Sequence, residues 1–261
     1  MLSKLLKHEM KACARLLLPL YITLIFLSIA DRIFLSLNIF KGSLKIIPGF
    51  ITFLYIVAIF ATIVVSVVII IYRFHKNLTT DEGYLMFTLP VKAHQLINSK
   101  LIASIFWSVV STIAVLGSIF MVVVSNDRME LIREGIHDYM EVINEEFGNL
   151  AVLFNIEMIL MIFFALIYGI LLIYASIAAG QLFNGHKIIG SFAAYIALNT
   201  VTQIIGTILI YIINLIFDNT FGESESLIKL ILPLMLIFLF FFSALYYIAA
   251  NYLFKRKLNL E

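Results

Sequence analysis

The sequence predicts an all-α integral membrane protein with six transmembrane helices and both termini in the cytoplasm. Three observations predict it. The 261-residue chain is 62% hydrophobic and 13% charged, where a soluble domain has about 25% charged and roughly 45–50% apolar residues. A globule of this size cannot hide that surplus, so a bilayer must be part of its solvent. The surplus is gathered into six apolar runs, 16–38, 49–72, 98–124, 151–179, 189–217 and 228–254. Each exceeds the ~20 residues that cross a hydrocarbon core, and none alternates over about ten residues as a barrel strand does. Lys and Arg are also uneven. With the N-terminus inside, twelve of the 18 fall on the cytoplasmic side: Lys4, Lys7, Lys11, Arg15, Arg73, Lys76, Lys92, Lys100, Lys187, Lys255, Arg256 and Lys257. Arg32, Lys41, Lys45, Arg128, Arg133 and Lys229 fall outside. That is the bias of the positive-inside rule.

Residues 1–15 precede the first span with a pattern of their own. Lys4, Lys7, Lys11 and Arg15 recur every three or four residues, and Leu2, Leu5, Leu6, Met10 and Cys13 take the opposite side. The spacing predicts an amphipathic helix lying on the anionic cytoplasmic leaflet. Basic residues followed by an apolar run and Ser28-Ile29-Ala30 also have the outline of a secretory signal. The apolar character continues through Ile33, Phe34, Leu35 and Leu37, which argues for a retained span.

Residues 73–97 join the second and third spans on the cytoplasmic side. Within them Thr79-Thr80-Asp81-Glu82 has capping-box spacing, with Thr79 as N-cap and Glu82 three residues on. Acids in a first turn also suit the helix dipole. Tyr84, Leu85, Met86, Phe87 and Leu89 follow, and Pro90 disfavours helix at Leu89. The pattern predicts a short capped helix, a break, and a second helix leading into the third span. Bulky apolar residues on a short cytoplasmic helix need a burial partner, either the membrane interface or a groove in another protein. Asp81 and Glu82 argue against an anionic leaflet and for a protein.

The external segment 126–148 carries Met129, Ile132, Ile136, Tyr139 or Met140, Ile143 and Phe147 at helical spacing, with Asp127, Glu130, Glu134, Asp138, Glu141 and Glu145 on another face. It predicts an amphipathic helix at the outer surface. Its acids are either a solvated face or a vestibule for a cationic substrate.

Inside the spans polar residues are few. Glu157 lies under two turns into the fourth span, and Asp31 and Arg32 lie near the outer end of the first. Each is a pathway candidate or a group at headgroup depth. In the fifth span Asn199 and Gln203 share a face, with Thr202 and Gly206 beside it, as interhelical glue or as a substrate path. Ala165, Gly169, Ser176 and Gly180 have the small-residue spacing of close helix packing.

No motif places catalysis in this chain. G-x-x-x-x-G-K-[ST], H-E-x-x-H and G-x-S-x-G do not occur. His8, His75, His94, His137 and His186 show no metal-ligand spacing, so no metal site is expected. Cys13 is the single cysteine, which excludes an internal disulfide framework. A net charge of +2 is too small to point to nucleic acid.

Six spans, a basic N-terminal helix and a second-to-third-span loop reading D-E-G-Y-L-M-F-T-L-P-V-K (81–92), then S-K-L (99–101), resemble an ABC-2-type transporter permease. That is the membrane subunit of a bacterial ABC exporter. The likeness lies with a Gram-positive subgroup, as does the basic end K-R-K-L-N-L-E (255–261). The resemblance implies a single permease domain over 1–261 in the cell membrane. It implies that Asp81, Glu82, Gly83, Tyr84, Leu85, Phe87 and Leu89 form a coupling helix that docks on a separate ATP-binding subunit. ATP and Mg would bind there, with no cofactor in this chain. It also implies a second permease chain, identical or a sibling, and export of a peptide, antibiotic or lipid-like substrate. The helix bearing Lys4, Lys7, Lys11 and Arg15 would be the family's connecting helix. Two other classes fit six spans: a secondary transporter driven by an ion gradient, and a non-transporting immunity or sensor protein. Pro19 and Pro233 lie near span ends and the midplane is nearly free of charge, which disfavours the broken, acid-bearing spans of a secondary transporter.

Overall fold

The structure is a computed structural model and describes residues 2–36, 46–79, 93–124, 126–183, 185–216 and 227–256. Among these every regular element is helical: α1 (Leu2–Ser36), α2 (Ile46–Thr79), α3 (Ala93–Val123), α4 (Asn126–Phe147), α5 (Ala151–Gly180), α6 (Lys187–Ile216) and α7 (Leu232–Arg256). A 3-10 turn (Gly148–Leu150) precedes α5 and a π-helical turn (Leu227–Ile231) precedes α7. Six helices, all but α4, are long and apolar enough to cross a membrane, the complement of a multi-pass membrane protein. Their outer faces require such a solvent, since Phe26 is 70% exposed and Phe60 66%.

Two boundaries differ from the sequence reading. α1 runs unbroken for 35 residues, roughly 52 Å at 1.5 Å per residue. No separate surface helix ends at residue 15. The reason is burial: Cys13 and Leu17 pack with Tyr21, Ile69 and Trp107, so the chain enters the core before the apolar run begins. Pro19 sits inside the helix and leaves one backbone bond unmade, which a span tolerates. The basic residues Lys4, Lys7, Lys11 and Arg15 stay exposed along α1. In the same way α2 continues to Thr79 and α3 begins at Ala93. These extensions are anchored, because Phe74, Asn77, Leu78, Leu96 and Ile97 are buried. The linker of 73–97 therefore shrinks to 80–92, which lies outside the described residues.

The chain divides into two compact units. One comprises residues 1–73 and 98–135. Its core is the Cys13 cluster and a second cluster of Leu24, Tyr55 and Val115. Hydroxyls tie the helices together: Tyr21 shares a 2.6 Å hydrogen bond with Ser111, Ser111 a 2.9 Å bond with Ser66, and Tyr55 a 3.1 Å bond with Ser118. In lipid, where apolar contact gives little net drive, such bonds and close packing hold helices together.

The other unit comprises residues 74–97 and 136–261, with α5 packed on α6 and α7. The Tyr174 ring is fully buried and stacks on Phe74, which meets Phe254 edge-on. Of the small-residue stripe on α5, only one end packs closely. A Cβ on Gly180 would collide with the backbone and side chain of Ser191, whereas one on Gly169 would meet nothing within 4 Å. Gly185, at φ +85°, then turns the chain into α6. In α4, Ile143 is buried, Phe147 stacks on Phe154, and the Tyr139 hydroxyl donates to Asn155 Oδ1 at 2.7 Å. Met129 and Ile136 of its expected apolar face are exposed.

Candidate functional site

The strongest concentration of buried charge among the described residues is a triad on three helices. Glu9 of α1 accepts two hydrogen bonds from Arg73 of α2 on Oε2, from Nη2 at 2.7 Å and Nε at 3.2 Å. Its Oε1 accepts one from Lys100 Nζ of α3 at 2.7 Å. The Glu9 and Lys100 side chains are 6% and 4% exposed, and Arg73 15%. Two cations on one carboxylate leave the cluster with a net positive charge.

Local sequence explains why Glu9 turns inward while its basic neighbours do not. Glu9, Cys13, Leu17, Tyr21, Leu24, Ser28 and Asp31 are all buried and recur every three or four residues. They form one face of α1. Lys7 and Lys11 flank Glu9 in sequence but fall on the exposed face. Glu9 lies before the first apolar run, and burial there pushes its carboxyl up. Lys100 and Arg73 overcome that penalty and hold it below the ordinary carboxylate range. Burial so close to paired charges is stable only while all partners remain, since the desolvation of each ion must be offset.

The triad stands at the roots of residues 80–92. Arg73 lies six residues before Thr79, where α2 ends, and Lys100 seven residues after Ala93, where α3 begins. It binds both helices flanking that segment to α1. Sequence reasoning counted Arg73 and Lys100 only as positive flanks and passed over Glu9. The available signal was its register, four residues before Cys13 on the apolar side of a basic helix. Asp81, Glu82, Gly83, Tyr84, Leu85, Phe87 and Leu89 themselves lie outside the described residues.

The other candidates separate. Asp31 and Arg32, adjacent in sequence, face different ways. Asp31 is 1% exposed and its Oδ1 accepts a 2.6 Å bond from Thr52 Oγ1. Arg32 is exposed and donates from Nη1 to the Met121 carbonyl at 3.2 Å. Glu157 is buried, and its Oε2 has no partner among the described residues. Asn199 is half-buried and Gln203 exposed. The inward polar residue of α6 is Thr202, which is hydrogen-bonded to the Tyr246 hydroxyl of α7. Tyr246 also reaches the Leu198 carbonyl at 3.2 Å. Helical register thus gives the glue to Thr202 and turns Gln203 outward.

One histidine does find acidic neighbours. His137, Asp138 and Glu141 bring potential metal-ligand atoms within 4.8 Å of one another on α4, all exposed. His137 Nδ1 lies 3.6 Å from Glu141 Oε2. The i,i+4 spacing was visible in the sequence. Their exposure makes the group an ordinary solvated helix face.

Comparison with known protein families, curated proteins and solved structures finds no match to this chain.

Proposed function

We propose that this chain is the membrane-spanning permease of an ABC exporter of the ABC-2 type, worked by a separate ATP-binding subunit. The single observation that carries the reading is the Glu9–Arg73–Lys100 triad at the roots of residues 80–92. A coupling segment can transmit force only if its two flanking helices are held to the rest of the bundle. A triad of buried, charge-assisted bonds is a stiff joint for that task. The loop residues Asp81 to Leu89 supply the acidic cap and the apolar anchors for the partner's groove. ATP-driven closure of an ATPase pair would pull the two segments as levers and change which side of the membrane the pathway faces.

A second permease chain is part of this reading, and α6 offers the surface for it. Only 6% of the most apolar stretch of α6 is buried, against 22–28% in the other five spanning helices. Its exposed face carries Thr200 and Gln203, and the Gln203 side-chain amide is a polar group that lipid does not satisfy. Cytoplasmic termini, supported by the charge bias, and residence in the cell membrane, implied by the family resemblance, complete the reading.

The test is co-purification. The tagged chain is expressed together with the genes that flank its own and extracted in mild detergent, and the mass of any complex is measured. Two permease chains with two ATPase chains are expected. A stable, ATP-hydrolysing complex with one permease chain, or the absence of any associated ATPase, overturns the proposal.

A further inference from the structure

In the unit of residues 74–97 and 136–261, an apolar pocket of about 210 Å³ lies among α5, α6 and α7. Met161 of α5, Gly206, Leu209 and Ile213 of α6, and Met235 and Phe238 of α7 form its walls. It is larger than the roughly 150 Å³ cavity that suffices to take up benzene. Gly206 contributes a stretch of wall without a side chain. A Cβ there would stand 3.4 Å from the Phe238 ring, so a longer side chain would occupy the space. The π-helical turn ahead of α7 ends at Ile231, itself on the pocket wall, and such turns concentrate at functional sites.

A purely apolar wall offers a ligand no hydrogen bond, so the part it holds is hydrocarbon. Glu157 is not on the wall but lies one helical turn from it. It precedes Met161 by four residues and shares its face of α5. It is 7% exposed, and its Oε2 is buried without a partner among the described residues. An acid kept in a span without a counter-ion is expensive, and a cation that arrives with the ligand would relieve the cost. Lys229 is exposed and two residues from Ile231, which sets it on the other side of the π-helical turn.

We propose that the pocket and Glu157 together bind a single-chain amphipathic cation, with its hydrocarbon chain in the pocket alongside Gly206 and Met235 and its ammonium group at Glu157 Oε2. Regarding that ligand as cargo rests on the transport reading; the binding itself does not. The test therefore omits the ATPase, so that the two can fail separately. The purified chain in lipid nanodiscs is irradiated with a diazirine-bearing long-chain alkylammonium, and in parallel with the neutral alcohol of the same chain. The ammonium probe should label peptides around Met161, Gly206 to Ile213 and Met235 saturably, and the alcohol much less. Glu157→Gln should cut ammonium labelling about tenfold, the worth of one charge-assisted contact. Gly206→Leu should abolish it and Gly206→Ala should keep it, with Leu209→Trp as a second filling variant if Gly206→Leu does not fold. Equal labelling by alcohol and ammonium, or ammonium labelling unchanged in Glu157→Gln, would overturn the assignment and leave a slot for an ordinary lipid tail.

Discussion

Glu9 Oε1 and Lys100 Nζ meet at 2.7 Å although 91 positions separate them in the chain. With Arg73 on the other carboxylate oxygen, the contact joins three helices at one buried point. Removing the shared anion leaves two cations facing each other. Glu9→Gln should destabilise the protein by about 3–5 kcal/mol, the usual cost of breaking a buried ion group. Lys100→Met should cost less, because Glu9 keeps Arg73. Glu9→Leu combined with Lys100→Met and Arg73→Met should recover part of the loss, since replacing the whole group by apolar side chains is far cheaper than orphaning a charge. Thermal unfolding in detergent measures all three. Wild-type stability in Glu9→Gln would show that the triad holds nothing together.

The loop anchors are tested by partner binding. If Tyr84 and Phe87 fill a groove in an ATP-binding subunit, Phe87→Ala should weaken its association roughly thirtyfold, from about 2 kcal/mol lost at a central aromatic anchor. Glu82→Gln should cost less, because a charge at the rim of a groove contributes less than a buried aromatic anchor. Pull-down of the ATPase at matched membrane expression reads the difference. Full recovery with both Phe87→Ala and Tyr84→Ala rejects the coupling role and favours a segment lying in the membrane interface.

Topology can be read with thiol probes, and burial decides which ones. Cys13 is only 6% exposed and is a poor reporter on either side. Lys11 is exposed on the same helix and Glu134 is exposed on α4. In a Cys13→Ala background, Lys11→Cys should react with an impermeant maleimide only after permeabilisation, and Glu134→Cys in intact cells. Reaction of Lys11→Cys in intact cells would invert the chain and place residues 80–92 outside.

Two glycines on one helix should behave differently. Gly180→Val must push Ser191 aside and should destabilise by about 1–3 kcal/mol. Gly169→Ala has nothing within 4 Å of the new methyl and should be neutral. Thermal stability of the two variants in one detergent checks the contrast, and equal losses would contradict the packing.

The sequence by itself determined the solvent and the number of crossings. Each crossing is a local property of about 20 apolar residues, and lipid obliges the backbone to satisfy itself as helix. Six spanning helices therefore stand where the six apolar runs lie. Helix ends were less legible. α1 begins at Leu2 and α2 reaches Thr79 because Cys13, Leu17, Phe74 and Leu78 find burial partners, and partners remote in sequence leave no local trace. Only the tertiary structure decided which polar residues matter. Register turned Glu9, Asp31, Glu157 and Thr202 inward and left Gln203 outside. The composition of a span says that a charge is costly, but whether it is met by a partner depends on which face of which helix lies opposite. Arg73 and Lys100 read as two more positive flanks until folding set both against Glu9.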